Sequence, residues 1–243
     1  MSLYYETISD EMKQVLLRLM EIDEFDPFRL VGGTSLSLQL GHRTSVDVDF
    51  FAAGGFNTKS IIGILESSFG KSIFITRSLQ NGVSAVINNV KVDIYDWKVP
   101  FTKPARIIDG IRLASIEDIF ANKCEALIDR RSEKDFCDIG EILKSFQMND
   151  LITTLHQRYP FISLGAVSSI LVKESIIVRD ETIKLLRENS FEKYSSVIKM
   201  KLKEYEESIE EIKRAGSEKR DEEIRGLIEQ KRKKQEAKDS TSQ

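Results

Sequence analysis

Histidine, cysteine, proline and tryptophan are all scarce in this chain of 243 residues: 2 His, 2 Cys, 4 Pro and one Trp. With only His42 and His156 available, a histidine-rich metal centre is excluded. Cys124 and Cys137 lie in stretches of helical spacing, lack metal-ligand spacing and read as ordinary packed thiols. An excess of one charge is missing too. Lys and Arg number 36 against 39 Asp and Glu, a formal net charge of −3, so no basic footprint covers the whole chain, although a local patch remains open. No apolar run approaches the roughly 20 residues that span a bilayer. The N-terminal "MSLYYETISDEMKQ" has no basic region followed by an apolar core, as a secretory signal would. No membrane partner and a cytoplasmic location are the expectation. There is no internal repeat, and the length allows one large or two small domains with a substantial core.

What is present is a mixed first half and a helical second half. Helical spacing runs from about Tyr4 to Ile22, with Met12, Val15, Leu16, Leu19 and Met20 on one side. Asp26-Pro27 breaks it, "FRLVGG" reads as a strand entering a glycine turn, and "TSLSLQL" reads as a brief helix closed by Gly41. Strands follow at "SVDVDFF", "SIFITRS", "VSAVI" and "VKVDIYD", with a helix from about Thr58 to Phe69 between the first two. Asn88-Asn89 is a hairpin turn, because asparagine tolerates positive φ. From Ser115 the pattern is helical, opening with a capping box in which Ser115 caps and Asp118 reaches back. A second helix, "DFCDIGEILKSF", follows, and further helices are expected to about Leu186. Phe191, Tyr194, Ile198, Leu202, Tyr205, Ile209 and Ile212 form one apolar stripe on a long helix, expected to pack on the chain's own helical domain. Beyond it lies a tail with twelve basic and twelve acidic residues from Lys201 to Gln243, read as a solvated helix fraying into disorder; its Lys231–Lys234 run is an ordinary charge run by the same reading.

The stretch "RLVGGTSLSLQLGHRTSVDVDFF" carries the chemistry. Side chains alternate faces along a strand, so Asp47 and Asp49 point one way while Val46, Val48 and Phe50 point to the core. Two adjacent carboxylates repel, and a divalent cation between them offsets that repulsion. Magnesium prefers such oxygen ligands together with phosphate oxygens. Asp93 in "VKVDIYD" is a third candidate ligand if its strand lies beside that of Asp47. Gly32 and Gly33 end a strand and begin a helix, where backbone N–H groups can cradle phosphate, and Thr34 and Ser35 add hydroxyls there. A turn that needs glycine, or an edge strand that exposes aspartates, would explain either element alone. Their conjunction, with 13 residues between Gly33 and Asp47, points to function.

Lys123 stands within the apolar stripe of the helix from Ser115, among Ile116, Ile119, Phe120 and Leu127. An unpaired ammonium facing a core is costly, so it either snorkels out or reaches a cleft that holds a triphosphate. Arg130, seven residues on, can reach the same phosphates or form a surface ion pair. Asp135 and Asp138 open the next helix, where acidic residues commonly cap. His42 carries no independent signal and marks the end of a helix.

Hydrophobic–Gly–Gly/Ser, a spacer of around ten residues and Asp–hydrophobic–Asp resembles the signature of the DNA polymerase β-like nucleotidyltransferase superfamily. More narrowly, "LVGGTSLSLQLGHRTSVDVDFF", "VKVDIYD" and "GIRLASIEDIFANKCEALIDRRSEKDFCDI" are similar to the AbiEii/AbiGii type of nucleotidyltransferase toxin, over about residues 28–147. The resemblance implies an α+β fold, a polymerase β-like mixed sheet with flanking helices, then a helical domain and a long charged C-terminal helix. The expected division is 1–105 nucleotidyltransferase core, 106–200 helical domain and 201–243 tail. It also implies an NTP as substrate, Mg2+ on Asp47, Asp49 and Asp93, and phosphate contacts from Gly32, Gly33, Thr34, Ser35 and Arg130. Arg43 fits the family's Arg–Ser–Asp–Asp pattern and is expected to meet nucleotide or substrate. Asp135 fits its second block and is expected to hold Lys123 or Arg130, although Lys134 stands where the family more often has arginine. The implied acceptor is tRNA and the implied partner a cognate antitoxin. A protein acceptor (AMPylation) and a non-catalytic nucleotide-binding or interaction module are the alternatives.

Overall fold

The computed structural model describes residues 2–240, with side chains to Arg225 except those of Glu218 and Asp221. The chain divides into two compact units, Met1–Lys199 and Met200–Gln243. The first is built on seven strands: β1 (Arg29–Leu30), β2 (Asp47–Ala52), β3 (Ile73–Leu79), β4 (Gly82–Ile87), β5 (Val90–Asp96), β6 (Arg106–Ile108) and β7 (Ile111–Leu113). They form one mixed sheet in the order β3-β4-β5-β2-β1-β7-β6. Its helices are α1 (Asp10–Met20), α2 (Gly32–Leu40), α3 (Thr58–Phe69), α4 (Ile116–Arg130), α5 (Glu133–Leu143), α6 (Met148–Arg158), α7 (Leu164–Val172) and the start of α8 (Phe191–Ser240). Among the described residues no helix is long and apolar enough to cross a membrane.

The two faces of the sheet do different things. Met12, Val15, Leu16 and Leu19 of α1 and Ile61 and Leu65 of α3 bury against Val48 and Phe50 of β2, Ala85 of β4 and Val92 and Ile94 of β5. Those strand residues occupy alternate positions, so Asp47, Asp49 and Asp93 are turned to the opposite face. Strand β2 runs parallel to β5, with Asp49 opposite Asp93 and Asp47 opposite Lys91. Val46 departs from the expected alternation. It precedes the strand and is 69% exposed, so it is not core.

Local signals explain most element ends. Ser9 accepts from Met12 N and starts α1, so the apolar periodicity from Tyr4 is two pieces: a short turn at Tyr5–Thr7, extended Ile8, then the helix. Gly41 takes φ +67° and closes α2. Asn88 and Asn89, at φ +46° and +64°, make the β4–β5 hairpin. The capping box at Ser115 forms only in part. Ser115 accepts from Asp118 N at 3.0 Å, but the Asp118 carboxylate accepts from the Ser115 hydroxyl at 2.8 Å and from Thr102, Lys103 and Arg158, not from the Ser115 backbone. The β6–β7 hairpin lies in a stretch where no strand was expected, and β7 joins the sheet parallel to β1. After α7 the chain from Ile177 to Ser190 is not helical, contrary to expectation.

Within the first unit α8 buries Phe191, Tyr194 and Ile198. Phe191 stacks on Phe136 of α5 at 4.6 Å, and Tyr194 donates to Glu141 at 2.9 Å. In the second unit the helix carries ion pairs such as Lys201–Glu204, and Ile212 is 64% exposed, so the apolar stripe does not stay buried to its end. Helix α8 runs on to Ser240 through the tail where fraying was expected; the side chains of the Lys231–Lys234 run lie outside the described residues, as do residues 241–243.

Candidate active site

The carboxylate face of β2 and β5 meets the start of α2 and one face of α4 and α5. Val31 N donates to Asp49 O at 2.9 Å, and Thr34 Oγ1 donates to Asp47 O, so the turn is tied directly to the aspartate strand. The two glycines answer different needs. Gly32 has φ +68°, and a Cβ there would lie 2.4 Å from Asp49 Oδ2. A Cβ on Gly33 would lie 2.1 Å from Arg43 Nη2. Each glycine therefore leaves room for a charged group. Helix α2 has no side-chain cap, whereas α1, α3, α4, α5 and α7 are capped by Ser9, Asn57, Ser115, Ser132 and Ser163. Its first-turn N–H groups are left to face the cleft that Gly32 and Gly33 line.

Thr34 and Ser35 do not offer their hydroxyls to that cleft, contrary to expectation. Both are buried; Thr34 bonds to Ser45 and the Asp47 carbonyl, and Ser35 accepts from Gln39 at 3.2 Å. With both hydroxyls taken up inside the fold, the start of α2 offers the cleft its backbone.

His42, Arg43, Lys123, Asp135 and Asp138 form a buried network beside the carboxylate face, which the exposed Arg130 joins from the surface. Lys123 Nζ lies 2.9 Å from Asp135 Oδ1 and 2.6 Å from Asp138 Oδ2. Arg130 grips Asp135 through Nε at 2.6 Å and Nη2 at 2.9 Å. Arg43 grips Asp138 through Nε at 2.6 Å and Nη2 at 2.9 Å, and His42 Nε2 lies 2.8 Å from Asp138 Oδ1. Helix α5 is capped by Ser132, so neither aspartate caps it. Burial alone would push Asp138 up, but Arg43 and Lys123 outweigh it and hold the carboxyl well below its ordinary value. Burial also acts on Asp135, and Lys123 and Arg130 outweigh it in the same direction. The same pairs hold Lys123 charged against burial.

Asp49 is the opposite case. Burial, then the nearby Asp93, with Asp47 adding to it, raises its carboxyl from 3.8 to about 6, despite opposing pull from Lys123. Asp93 is ion-paired with Lys91 at 2.8 Å. Among the described residues, no three acidic, histidine or cysteine side chains are grouped to hold a metal ion as they stand. The donor set nevertheless fits a hard divalent cation: carboxylate oxygens on neighbouring strands, with Asp49 opposite Asp93.

Two lobes open on Asp49. The larger, about 550 Å³, is lined by Gly32, Gly33, Asp47, Asp93 and the cations Arg43, Lys91, Lys123, Arg130 and Lys134. The smaller, about 340 Å³, shares Gly32, Asp49, Lys123 and Arg130, and adds Phe51, Trp97, Asn122, Glu125 and Asp129. Phe51 and Trp97 stack at 4.6 Å and 1°. Sequence reading passed over Trp97, though it is the only tryptophan and directly follows the Asp93 strand. It left Asp138 as a helix cap and His42 as a helix end; only their long-range pairing reveals them.

Comparison with known proteins agrees with this geometry. Residues 14–92 match the family model of the nucleotidyl transferase AbiEii toxin of type IV toxin–antitoxin systems. The match takes in the glycine turn and Asp47–Asp49 and stops one residue short of Asp93. An uncharacterized protein of Aquifex aeolicus (strain VF5), aq_aa25, is 26% identical over 210 residues, 83% of this chain and 98% of that one. A crystal structure of a candidate nucleotidyltransferase from H. pylori superposes with a TM-score of 0.55 at 20% identity, over 83% of this chain and 94% of that one. MenT4, a nucleotidyltransferase toxin from Mycobacterium tuberculosis H37Rv, gives 0.50 at 15% identity, over 79% and 80%. At these identities the two structures establish the shared fold.

Proposed function

We propose, from the premise that this chain carries an AbiEii-type nucleotidyltransferase domain and is a transferase, that it moves a nucleoside monophosphate from an NTP to tRNA. In this reading it is the toxin of a toxin–antitoxin or phage-defence system, with a cognate antitoxin as partner. The observation that carries the reading is the position of Asp49, between the uncapped N-terminus of α2 and the Lys123–Arg130 cations, opposite Asp93 on β5.

Polyphosphate binds in the larger lobe. The first-turn N–H groups of α2 donate to phosphate oxygens, and the helix dipole favours their charge. Lys123 and Arg130 line the lobe while Asp135 fixes both, which orients them before substrate arrives. Arg43 backs the turn at Gly33 and is itself held by Asp138. Magnesium would be held by Asp47, Asp49 and Asp93, and would supply charge neutralisation for the phosphates and the departing pyrophosphate. In this reading Asp93 helps to activate the acceptor hydroxyl, as metal ligand or as the base that takes its proton, while the hydroxyl oxygen bonds to the α-phosphorus and the bond to the β-phosphate breaks. The RNA acceptor rests on the resemblance of the two sequence blocks, and the toxin role on the family that residues 14–92 match.

The test is incorporation of each of four labelled NTPs, with magnesium, into total RNA and, separately, total protein. Label on tRNA-sized RNA that is lost with Asp49→Ala is the expected result. Label on protein would replace the acceptor, and no label on either would overturn transfer.

A further inference from the structure

The smaller lobe is chemically unlike the larger one. One side is the Phe51–Trp97 stack, held in place because Trp97 Nε1 donates to Tyr159 at 3.0 Å. The other side is α4, where Glu125 and Asp129, four residues apart, share a helix face. Neither carboxylate accepts a hydrogen bond or forms an ion pair among the described residues. Ionised carboxylates repel phosphate but accept N–H hydrogen bonds, and aromatic side chains offer contact to a flat ring. Gly32, Asp49, Lys123 and Arg130 border both lobes. One molecule with phosphates at one end and a planar ring at the other can therefore span them.

We propose that the nucleoside of the donor nucleotide occupies this smaller lobe, and that Glu125 and Asp129 read its base, favouring one with an exocyclic amino group over uracil. This rests on the larger lobe holding the polyphosphate, as proposed above. Cytosine and uracil make the sharpest comparison. They are alike in size, but cytosine presents an amino donor where uracil presents a carbonyl acceptor. A carboxylate bonds the first and repels the second.

Trp97 is the only tryptophan in the chain, so its fluorescence reports this lobe alone. The experiment titrates the full chain, in magnesium and without acceptor RNA, with CTP, UTP and inorganic tripolyphosphate. CTP should change Trp97 emission and bind at least about tenfold more tightly than UTP, the scale of one hydrogen bond to a charged group. Tripolyphosphate should compete with both while leaving the emission of the protein alone unchanged. In the double variant Glu125→Ala/Asp129→Ala the CTP–UTP gap should close while tripolyphosphate affinity holds or rises. Equal affinities for CTP and UTP in the wild type overturn base reading. Nucleotide binding that competes with tripolyphosphate but leaves Trp97 emission unchanged places the base elsewhere and overturns the inference by itself. No binding of nucleotide or tripolyphosphate overturns this inference together with the reading it rests on.

Discussion

Asp49 is held in a form that folding alone would not select. Its carboxyl is raised to about 6 by burial and by Asp93, so between roughly pH 4 and 6 the folded chain holds a proton that the unfolded chain releases. Stability of the metal-free protein therefore falls as pH rises through that window, and the loss is complete above it. A shift of that size is worth about 3 kcal/mol. Asp49→Asn should raise the Tm of metal-free protein at pH 8 by several degrees, with little change at pH 4, while transfer is lost; a lower Tm at pH 8 would contradict this. Asp138 has the opposite sign. Its removal as Asp138→Ala leaves Arg43 and Lys123 buried without one of their counter-charges, and should cost about 3–5 kcal/mol in urea unfolding. A cost below about 1 kcal/mol would mean that the pairs relax to water. Asp47, Asp49 and Asp93 were legible because strand alternation is local. Asp138 was not, because its partners at 42 and 43 are nearly a hundred residues away and local statistics favour a cap.

Helix α2 gathers the site with almost nothing but backbone. Gly32→Ala meets both positive φ and the Asp49 carboxylate, and Gly33→Ala meets the Arg43 guanidinium. Both should lower transfer by on the order of a hundredfold or more, since a misplacement of about 1 Å at a reacting centre has that effect. Circular dichroism should remain native-like, and variants with wild-type rates would show that the turn can shift freely. The glycine pair and its helix were readable from the sequence, but the inward turn of Thr34 and Ser35 was not, because it depends on Ser45, Gln39 and the Asp47 carbonyl. The β6–β7 hairpin did carry a signal. Asp109-Gly110, at φ +52° and +79°, is a strong hairpin dipeptide, but three-residue strands are too short to show alternation. Ser9 shows the reverse failure: apolar periodicity ran across a cap, and the cap decided where α1 begins.

Across the first unit, long-range polar pairs join what the sequence presents as separate blocks. Asp138 links α5 to His42 and Arg43 after α2, and Asp118 links α4 to Arg158 at the end of α6 and to the 102–103 backbone. Asp118 and Arg158 side chains are both fully buried. Asp118→Ala should destabilise the chain by about 3–5 kcal/mol in urea unfolding, and a shift under about 1 kcal/mol would deny the pair that role. The sequence divided sheet from helices near residue 105, whereas β7 carries the sheet on to Leu113, and the residues from 116 to 138 complete the Asp49 site. The most direct test of the whole account is pyrophosphate release from NTPs with magnesium and total RNA, comparing wild type with Asp49→Asn whose fold is checked by its melting curve. The account predicts release by the wild type and a loss of at least about a hundredfold in a variant that melts no lower. Equal release from a folded Asp49→Asn, or none from the wild type with any NTP, would contradict it.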